Sequence, residues 1–446
     1  MNIQFKNRKK ELRELREVLQ SDDFELFIIY GRRRIGKTEL ILNATKNKKR
    51  VYYLATGENN LERFYNVCVN FDREVANLKK DWEVLFNFLK NRADVVILDE
   101  FQNMIHEDKN VPNIFQSITD ITLKDSKMKL FLLGSSVSIM TSKVLSYKSP
   151  LYGRRTGSFK LRPIPFYDLA EFFPRANLKQ LIEIYAFADG IPFYLIKVKG
   201  DYWPWLKDEI LKEKGFLRDE VDFLMRYEFE DPGTYKLILE AVARGNTKLN
   251  EIKNFIKVRR TDITPYLRNL AEVGFIKRTV PVTENIKSRA GRYYITDNFL
   301  KFWFRYIYPN LSAIEEGIFD PDAIKKDYSH YLGSIFEDAV RHCLLKVIKN
   351  LFKFTKIGRW WHRDKEIDLV ALNSQTKEIL FAECKWQDRV SANKILQELK
   401  EKAEHVKWYN DKRKEHYAIF AKSFKQKIKE PNLLLFDLQD LEKAFG

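Results

Sequence analysis

A chain of 446 residues with 45% hydrophobic and 14% aromatic content can bury more than one core, which sets aside wholesale disorder and suggests roughly two to four domains. Cys68, Cys343 and Cys384 lack CxxC spacing and the six histidines lack HxxxH or HExxH spacing, which argues against a disulfide framework and a zinc site. The net charge of +17 is uneven: residues 233–312 hold 15 Lys/Arg against 6 Asp/Glu, and residues 325–446 hold 25 against 18.

In chain order, an amphipathic helix is expected near 7–19, then a strand at Phe24–Tyr30 and a helix at Thr38–Ala44. Apolar runs recur at Arg50–Leu54, Asp94–Leu98 and Lys129–Leu133 with helical patterns between them, as a parallel sheet with crossover helices requires. Residues 166–230 read as helical and aromatic-rich, interrupted by Gly190-Ile191-Pro192, and Asp231-Pro232-Gly233 marks a boundary. Residues 234–305 read as three helices and a short hairpin, Pro309 to Pro321 as a linker, and 328–446 as helix, strand, strand, helix, strand. No apolar run reaches the ~18 residues of a spanning helix, and no apolar segment follows the charged start, so a cytoplasmic chain with no membrane partner is expected. The basic C-terminal half predicts a polyanionic partner, nucleic acid and most readily DNA; the alternative is solvated helix faces.

GRRRIGKT at 31–38 matches G-x-x-x-x-G-K-[ST] between an expected strand and an expected helix, the context that a phosphate-binding loop needs. Gly31 and Gly36 allow the backbone to wrap, Lys37 reaches the β/γ-phosphates, and the Thr38 hydroxyl takes a Mg²⁺ position. The expected nucleotide contacts are Gly31, Arg32, Arg33, Arg34, Ile35, Gly36, Lys37, Thr38 and Glu39, with ATP and Mg²⁺ as the implied cofactors. The strand DVVILDE ends in Asp99, placed to hold Mg²⁺, and Glu100, placed to polarise a water. Gly134-Ser135-Ser136 ends the next strand, where a serine either senses the γ-phosphate or forms a turn. Arg154 and Arg155 either reach a γ-phosphate, in cis or from a neighbouring subunit, or make ordinary ion pairs.

Phe5-x-x-Arg8, GRRRIGKT, LDEFQ (98–102), GSS (134–136), PLYGR (150–154) and GIP (190–192) together resemble the archaeal-type ATPases of the AAA+/STAND superclass over about residues 1–300. The resemblance implies Arg8 near the adenine end, Ser135 at a sensor position, Pro192 against bound nucleotide, and a winged helix after a helical lid. The expected division is a P-loop ATPase core at 1–165, a lid at 166–232 and a winged helix at 233–312.

Leu249–Arg278 reads as helix, turn, helix and strand, with Thr261-Asp262 capping the second helix. Arg278 to Tyr294 would form the wing, with Lys287, Arg289 and Arg292 near its tip. Such a module either contacts DNA or packs against the nucleotide site.

Near the C-terminus, Glu337 falls on a helix, Asp368 ends EIDLV, and Glu383 and Lys385 lie two apart on ILFAECKW, on one strand face. A turn around Asn373–Lys377 would bring Asp368 beside them, while Cys384 faces the other side. Carboxylates clustered with a lysine suit metal-assisted phosphodiester hydrolysis: Asp368 and Glu383 hold Mg²⁺, Lys385 orients or stabilises, and Glu337 completes the shell. Trp360-Trp361-His362 reads as an amphipathic strand, with base stacking as the alternative. The arrangement resembles the PD-(D/E)xK nuclease superfamily over about 325–446, with Ile367-Asp368 where Pro-Asp is frequent. The expected fold class is therefore α/β: a P-loop parallel sheet with a helical lid, a winged helix, then a restriction-endonuclease-like domain. The alternative is a signalling ATPase that forms a nucleotide-dependent homo-oligomer, its C-terminal domain binding without cutting.

Overall fold

The computed structural model describes residues 5–257, 262–347 and 353–445. They form two compact units, one of residues 1–163, 191–193 and 272–274, the other of 164–190, 194–271 and 275–446.

The first unit is built on strands β1 (Glu25–Tyr30), β2 (Arg50–Leu54), β3 (Val95–Asp99), β4 (Lys129–Gly134) and β5 (Gly157–Lys160). They are parallel throughout and ordered β2-β3-β4-β1-β5. Every residue of β3 and β4 is buried, because helices cover both faces of a parallel sheet and each strand must be apolar on both sides. One face packs against an aromatic cluster in which Phe64 stacks on Trp82 and Phe86, with Phe115 closing from below. The registers Tyr30↔Gly134 and Leu98↔Leu132 bring the C-terminal ends of β1, β4 and β3 to one edge. Three loops that are far apart in sequence therefore open at the same place, where open α/β sheets bind ligands.

In the second unit, a helix at Leu178–Ala188 starts with a capping box between Asn177 and Gln180. Its buried Phe187 meets Trp205, Phe299 and Phe302 edge-on, and Tyr194 stacks on Phe299 at 3.9 Å. Helices at Gly233–Ala243, Leu249–Phe255 and Thr264–Val273 precede the antiparallel hairpin β6 (Ile276–Thr279) and β7 (Arg292–Ile295). Asp262 accepts a hydrogen bond from the Thr264 amide at 3.0 Å, whereas Thr261 lies outside the described residues.

The C-terminal part runs from the helix Ala323–Val347 into β8 (Lys356–His362), β9 (Lys365–Asn373), β10 (Glu378–Lys385) and β11 (Val390–Ser391). The helix Ala392–Glu404, β12 (Lys414–Ala421), β13 (Phe424–Gln426) and β14 (Leu433–Phe436) follow. The main sheet is mixed and ordered β14-β12-β10-β9-β8, antiparallel from β8 to β10 and parallel from β10 to β14.

Three expectations need correction. Pro309 to Pro321 is not a bare linker: Leu311–Glu315 is helical and Ile314 is 2% exposed, so this stretch docks. The C-terminal part has four strands before its second long helix, not two, because β8 joins the sheet and the short β11 precedes the helix. Trp360-Trp361-His362 is not amphipathic either, since both indoles are buried. A register shift between Gly358 and Trp360 breaks the alternation, and the β6–β7 connection covers the second indole. There the Trp361 ring N–H donates to the Ala290 carbonyl at 3.0 Å and the Val282 amide donates to the Arg359 carbonyl at 2.9 Å. The β6–β7 connection thereby covers the sheet edge at β8, which would otherwise be open to strand pairing. No helix among the described residues is long and apolar enough to cross a membrane.

Candidate functional sites

The GRRRIGKT loop leaves β1 through Gly31, where an added Cβ would sit 2.6 Å from the Leu161 carbonyl oxygen. It enters the helix Lys37–Ala44 through Gly36, whose φ of 89° is the left-handed conformation that glycine adopts without strain. Lys37 is 6% exposed and its ammonium donates to the Gly31 and Arg32 carbonyls at 3.0 and 3.2 Å, so it lies along the inside of its own loop. The Thr38 hydroxyl donates to Asp99 Oδ2 at 2.5 Å, and the Tyr52 hydroxyl donates to the same oxygen at 3.1 Å. Burial pushes the Asp99 carboxyl up, opposed by the Thr38 hydrogen bond.

Beside it, Glu100 adopts φ 53° and accepts from the Gln102 amide at 2.5 Å and from the Ser135 hydroxyl. Gln102 also donates to Ser135 Oγ at 3.1 Å, which ties the end of β3 to the end of β4. The donor set suits Mg·ATP: a hydroxyl and a carboxylate in contact, a lysine inside a glycine loop, and a second carboxylate held by a serine and a glutamine. Mg²⁺ at such sites keeps several waters and binds substrate phosphates, so few protein ligands are required.

The remaining expected contacts are placed as follows. Arg8, 5% exposed, donates to the Ile35 carbonyl at 3.2 Å and pairs with Glu11 at 3.0 Å, bracing the loop from beneath. Ile35 is fully buried, Arg32 and Arg33 are half-buried, and Glu39 is exposed. Arg34 stacks over Phe193 at 4.0 Å, and Pro192 lies 3.8 Å from where a Cβ on Gly36 would be. Arg154 binds Asp120 through two nitrogens, at 3.0 and 3.1 Å, so the ion-pair alternative describes it here. Arg155 stacks over Tyr152 at 4.8 Å. Tyr52 and the role of Gln102 escaped the sequence reading. Tyr52 is signalled only by the β2–β3 pairing, which spacing does not reveal.

In the C-terminal sheet the pair Ala382↔Leu369 sets Glu383 opposite Asp368, as the hairpin reading expected. Asp368 accepts from the Cys384 amide at 2.8 Å. Glu383 is 2% exposed and holds Lys385 at 2.6 Å and Lys402, from the helix Ala392–Glu404, at 2.7 Å. Burial raises the Asp368 carboxyl, and neighbouring Glu383 raises it further. Glu337, expected to complete the shell, pairs with Arg359 of β8 at 2.6 Å and also feels the Asp368 charge. Burial raises the Glu337 carboxyl as well, against the pull of Arg359. Among the described residues no group of three or more His, Cys, Asp or Glu converges closely enough to hold a metal ion. The lysine and two carboxylates meet, so a metal here would rest on Asp368 and Glu383, with Glu337 of the helix engaged by Arg359. Lys402 is the part that sequence reading missed, since its helix position carries no motif.

The basic residues of the β6–β7 hairpin are partly consumed internally. Arg278 donates to the Ile286 carbonyl at 3.0 Å and to the Ser288 carbonyl, and Arg292 pairs with Glu366 at 2.9 Å while stacking on Trp361. Lys287 and Arg289 remain on the connection between β6 and β7 as the expected tip residues.

Residues 5–198 match the family described as an ATPase domain predominantly from Archaea, and residues 303–416 match a family of archaeal and bacterial proteins of unknown function. An uncharacterized protein of Methanocaldococcus jannaschii is 52% identical over 441 residues, covering 98% of this chain and 99% of that protein. An uncharacterized ATP-binding protein of the same organism is 24% identical, covering 72% of this chain and 95% of that protein. Among solved structures, the Walker-type ATPase of Pyrococcus abyssi aligns with a TM-score of 0.52 at 22% identity. That alignment covers 67% of this chain and 95% of the other, and the likeness is one of fold.

Proposed function

Because the chain belongs to a family of archaeal-type P-loop ATPases that carry a second, C-terminal domain, we propose that it couples ATP hydrolysis to an action on DNA, its C-terminal domain being a Mg²⁺-dependent nuclease. The observation that carries the ATPase half is the Thr38–Asp99 contact beside a lysine seated inside the Gly31–Gly36 loop. Lys37 would turn from the carbonyls it now binds to the β/γ-phosphates, and the loop amides and helix N-terminus would stabilise their charge. Thr38 and Asp99 would hold Mg²⁺, which neutralises charge that builds on the phosphates. Glu100 would orient the attacking water, with Ser135 and Gln102 fixing its carboxylate. Arg8, Pro192 and the flanking Arg32, Arg33, Arg34, Ile35 and Glu39 would position the nucleotide. Arg154 would have to leave Asp120 to take part.

The nuclease half is supported by topology and placement. A helix, three antiparallel strands, a helix and a parallel strand set Asp368, Glu383 and Lys385 together at the middle of a sheet. Asp368 and Glu383 would hold Mg²⁺ and Lys385 would orient water or stabilise the phosphorane-like charge. The basic charge of the C-terminal half supports DNA as partner.

A specific observation favours a second reading. Both lysines on Glu383 and Arg359 on Glu337 neutralise the carboxylates without a metal. In that reading the domain binds nucleic acid or a partner, and the chain is a switch that assembles into a homo-oligomer when nucleotide is bound. Mg²⁺- or Mn²⁺-dependent cleavage of duplex, single-stranded and branched DNA, with and without ATP, separates the two. Cleavage lost in Lys385→Ala and only altered in Lys37→Ala supports the gated nuclease. ATP turnover without cleavage on any substrate moves the assignment to the switch.

A further inference from the structure

A cavity of about 440 Å³ lies wholly within the second unit, bounded by the β6–β7 hairpin, the helical turn at Asn298–Ile307, the helix Ala323–Val347 and β8. Its wall carries Lys277, Lys301, Arg305, Arg341 and Arg359 against Glu337 and Asp338. Their pairing is incomplete. Arg305 is satisfied outside the wall by Asp327 at 2.6 Å, and Arg359 is satisfied by Glu337 at 2.6 Å. Arg341 reaches Asp338 only at 3.7 Å. Lys301 has a hydroxyl partner, Ser334 at 2.7 Å, and among the described residues neither Lys277 nor Lys301 has a carboxylate at ion-pair distance.

With the Arg305–Asp327 pair set aside, the wall itself carries four cations and two carboxylates, and Asp189 and Asp368 act on Lys277 and Arg359 from beyond it. Concentrating like charge away from water is costly unless something of opposite sign arrives. Burial depresses the Lys301 ammonium to about 8. Burial alone would raise the Asp338 carboxyl, yet the surrounding cations hold it well below the ordinary range, so Asp338 is already committed to balancing them. Tyr294 and Tyr331 add flat apolar surface beside Arg359 and Lys301, at 5.1 and 5.6 Å from the ring centres.

We propose that this cavity is a second anion site, distinct from the GRRRIGKT loop, which takes a phosphomonoester dianion carried on a body of about nucleotide size. A phosphomonoester carries nearly two negative charges at neutral pH, which suits a wall that holds more cations than carboxylates. The Arg341 guanidinium offers a fork suited to phosphate, and the two lysines supply point charges. The volume falls at the lower end of small-molecule sites, about 300–1,000 Å³, and suits one nucleotide rather than a duplex. The site needs no cleavage by the neighbouring carboxylates, so it stands whether or not the nuclease reading does.

The test uses the full chain carrying Lys37→Ala, without Mg²⁺, so that the P-loop contributes little. Calorimetry and thermal melting are read with inorganic phosphate, AMP and a 5′-phosphorylated trinucleotide, and with adenosine and the 5′-hydroxyl trinucleotide as controls. The phosphorylated probes are expected to bind once per chain and raise Tm, and the controls are not. A preference for AMP marks a free nucleotide as the ligand, and a preference for the phosphorylated trinucleotide marks a strand end. Lys277→Met and Lys301→Met should each weaken binding at least tenfold, and Lys301→Met should melt no lower than its parent. Two variants guard against one that does not fold. Failure of every phosphorylated probe to bind, equal binding of the controls, or unchanged affinity in both lysine variants would overturn the site.

Discussion

The P-loop edge of the first unit and the carboxylate cluster of the C-terminal sheet both set acidic groups beside a lysine, and they do so under opposite constraints. At the P-loop, Lys37 donates to the Gly31 and Arg32 carbonyls, and among the described residues Asp99 is held by the Thr38 and Tyr52 hydroxyls and a local backbone contact. Among the described residues the Asp99 carboxylate is positioned by hydroxyls and not by a salt bridge, so an incoming metal can take it without breaking an ion pair. In the C-terminal sheet Glu383 is held by two lysines and Glu337 by an arginine. A metal entering there must displace cations from a buried carboxylate. The first site is prepared for its ligand, whereas the second must be opened.

That contrast is broken most sharply by substitutions at Asp99 and Glu100. Asp99→Asn and Glu100→Gln should each lower ATP turnover by about 100- to 1,000-fold, the range for losing one transition-state electrostatic contact. Glu100→Gln should still bind ATP, by equilibrium binding of a fluorescent analogue, whereas loss of binding would make Glu100 a structural residue. The next effect concerns the second site. Lys385→Ala should lower Mg²⁺-dependent DNA cleavage by about 100-fold while leaving ATP turnover unchanged. Lys402→Ala should act in the reverse direction if its clamp on Glu383 resists the metal, lowering the Mg²⁺ concentration for half-maximal cleavage. A higher requirement would show that Lys402 supports the site.

The two sites also differ in how far the chain alone revealed them. A P-loop is encoded within eight contiguous residues, whose glycines, lysine and threonine are local requirements of backbone shape and charge. Asp99 and Glu100 were legible because they close a buried strand, and the parallel order then brings them to the loop. Tyr52 and Gln102 depend on which strands are neighbours. The C-terminal triad was legible as far as one hairpin carries it, since the β9–β10 register fixes Asp368 against Glu383. The Arg359 partner of Glu337 was not legible because it sits on β8, a strand whose two buried tryptophans hide the alternation.

Smaller effects sharpen the comparison away from chemistry. The Lys301 ammonium, lowered by burial to about 8, is faced by Asp338 and Glu337 from its neighbouring helix, by Arg359 from β8 and by Arg305 from its own segment. A lysine depressed in the folded state destabilises it fully below that value, and the penalty is relieved as pH rises toward 10.5. Lys301→Met should therefore be more stable than its parent by about 1–3 kcal/mol at pH 7, and the gap should shrink by pH 9.5 in denaturant titrations. An unchanging gap would place the charge in solvent. Arg292→Ala, which removes the Glu366 pair and the stack on Trp361, should cost about 1–2 kcal/mol and quench or shift tryptophan fluorescence.

The central claim, that Lys37, Thr38 and Asp99 form a working ATP site, is tested most directly by steady-state ATP hydrolysis of the full chain with Mg²⁺, beside Lys37→Ala. Turnover in the parent, reduced at least about 100-fold in the variant with melting temperature preserved, is the expected result. A variant as active as the parent, or a parent that neither binds nor hydrolyses ATP, would contradict it.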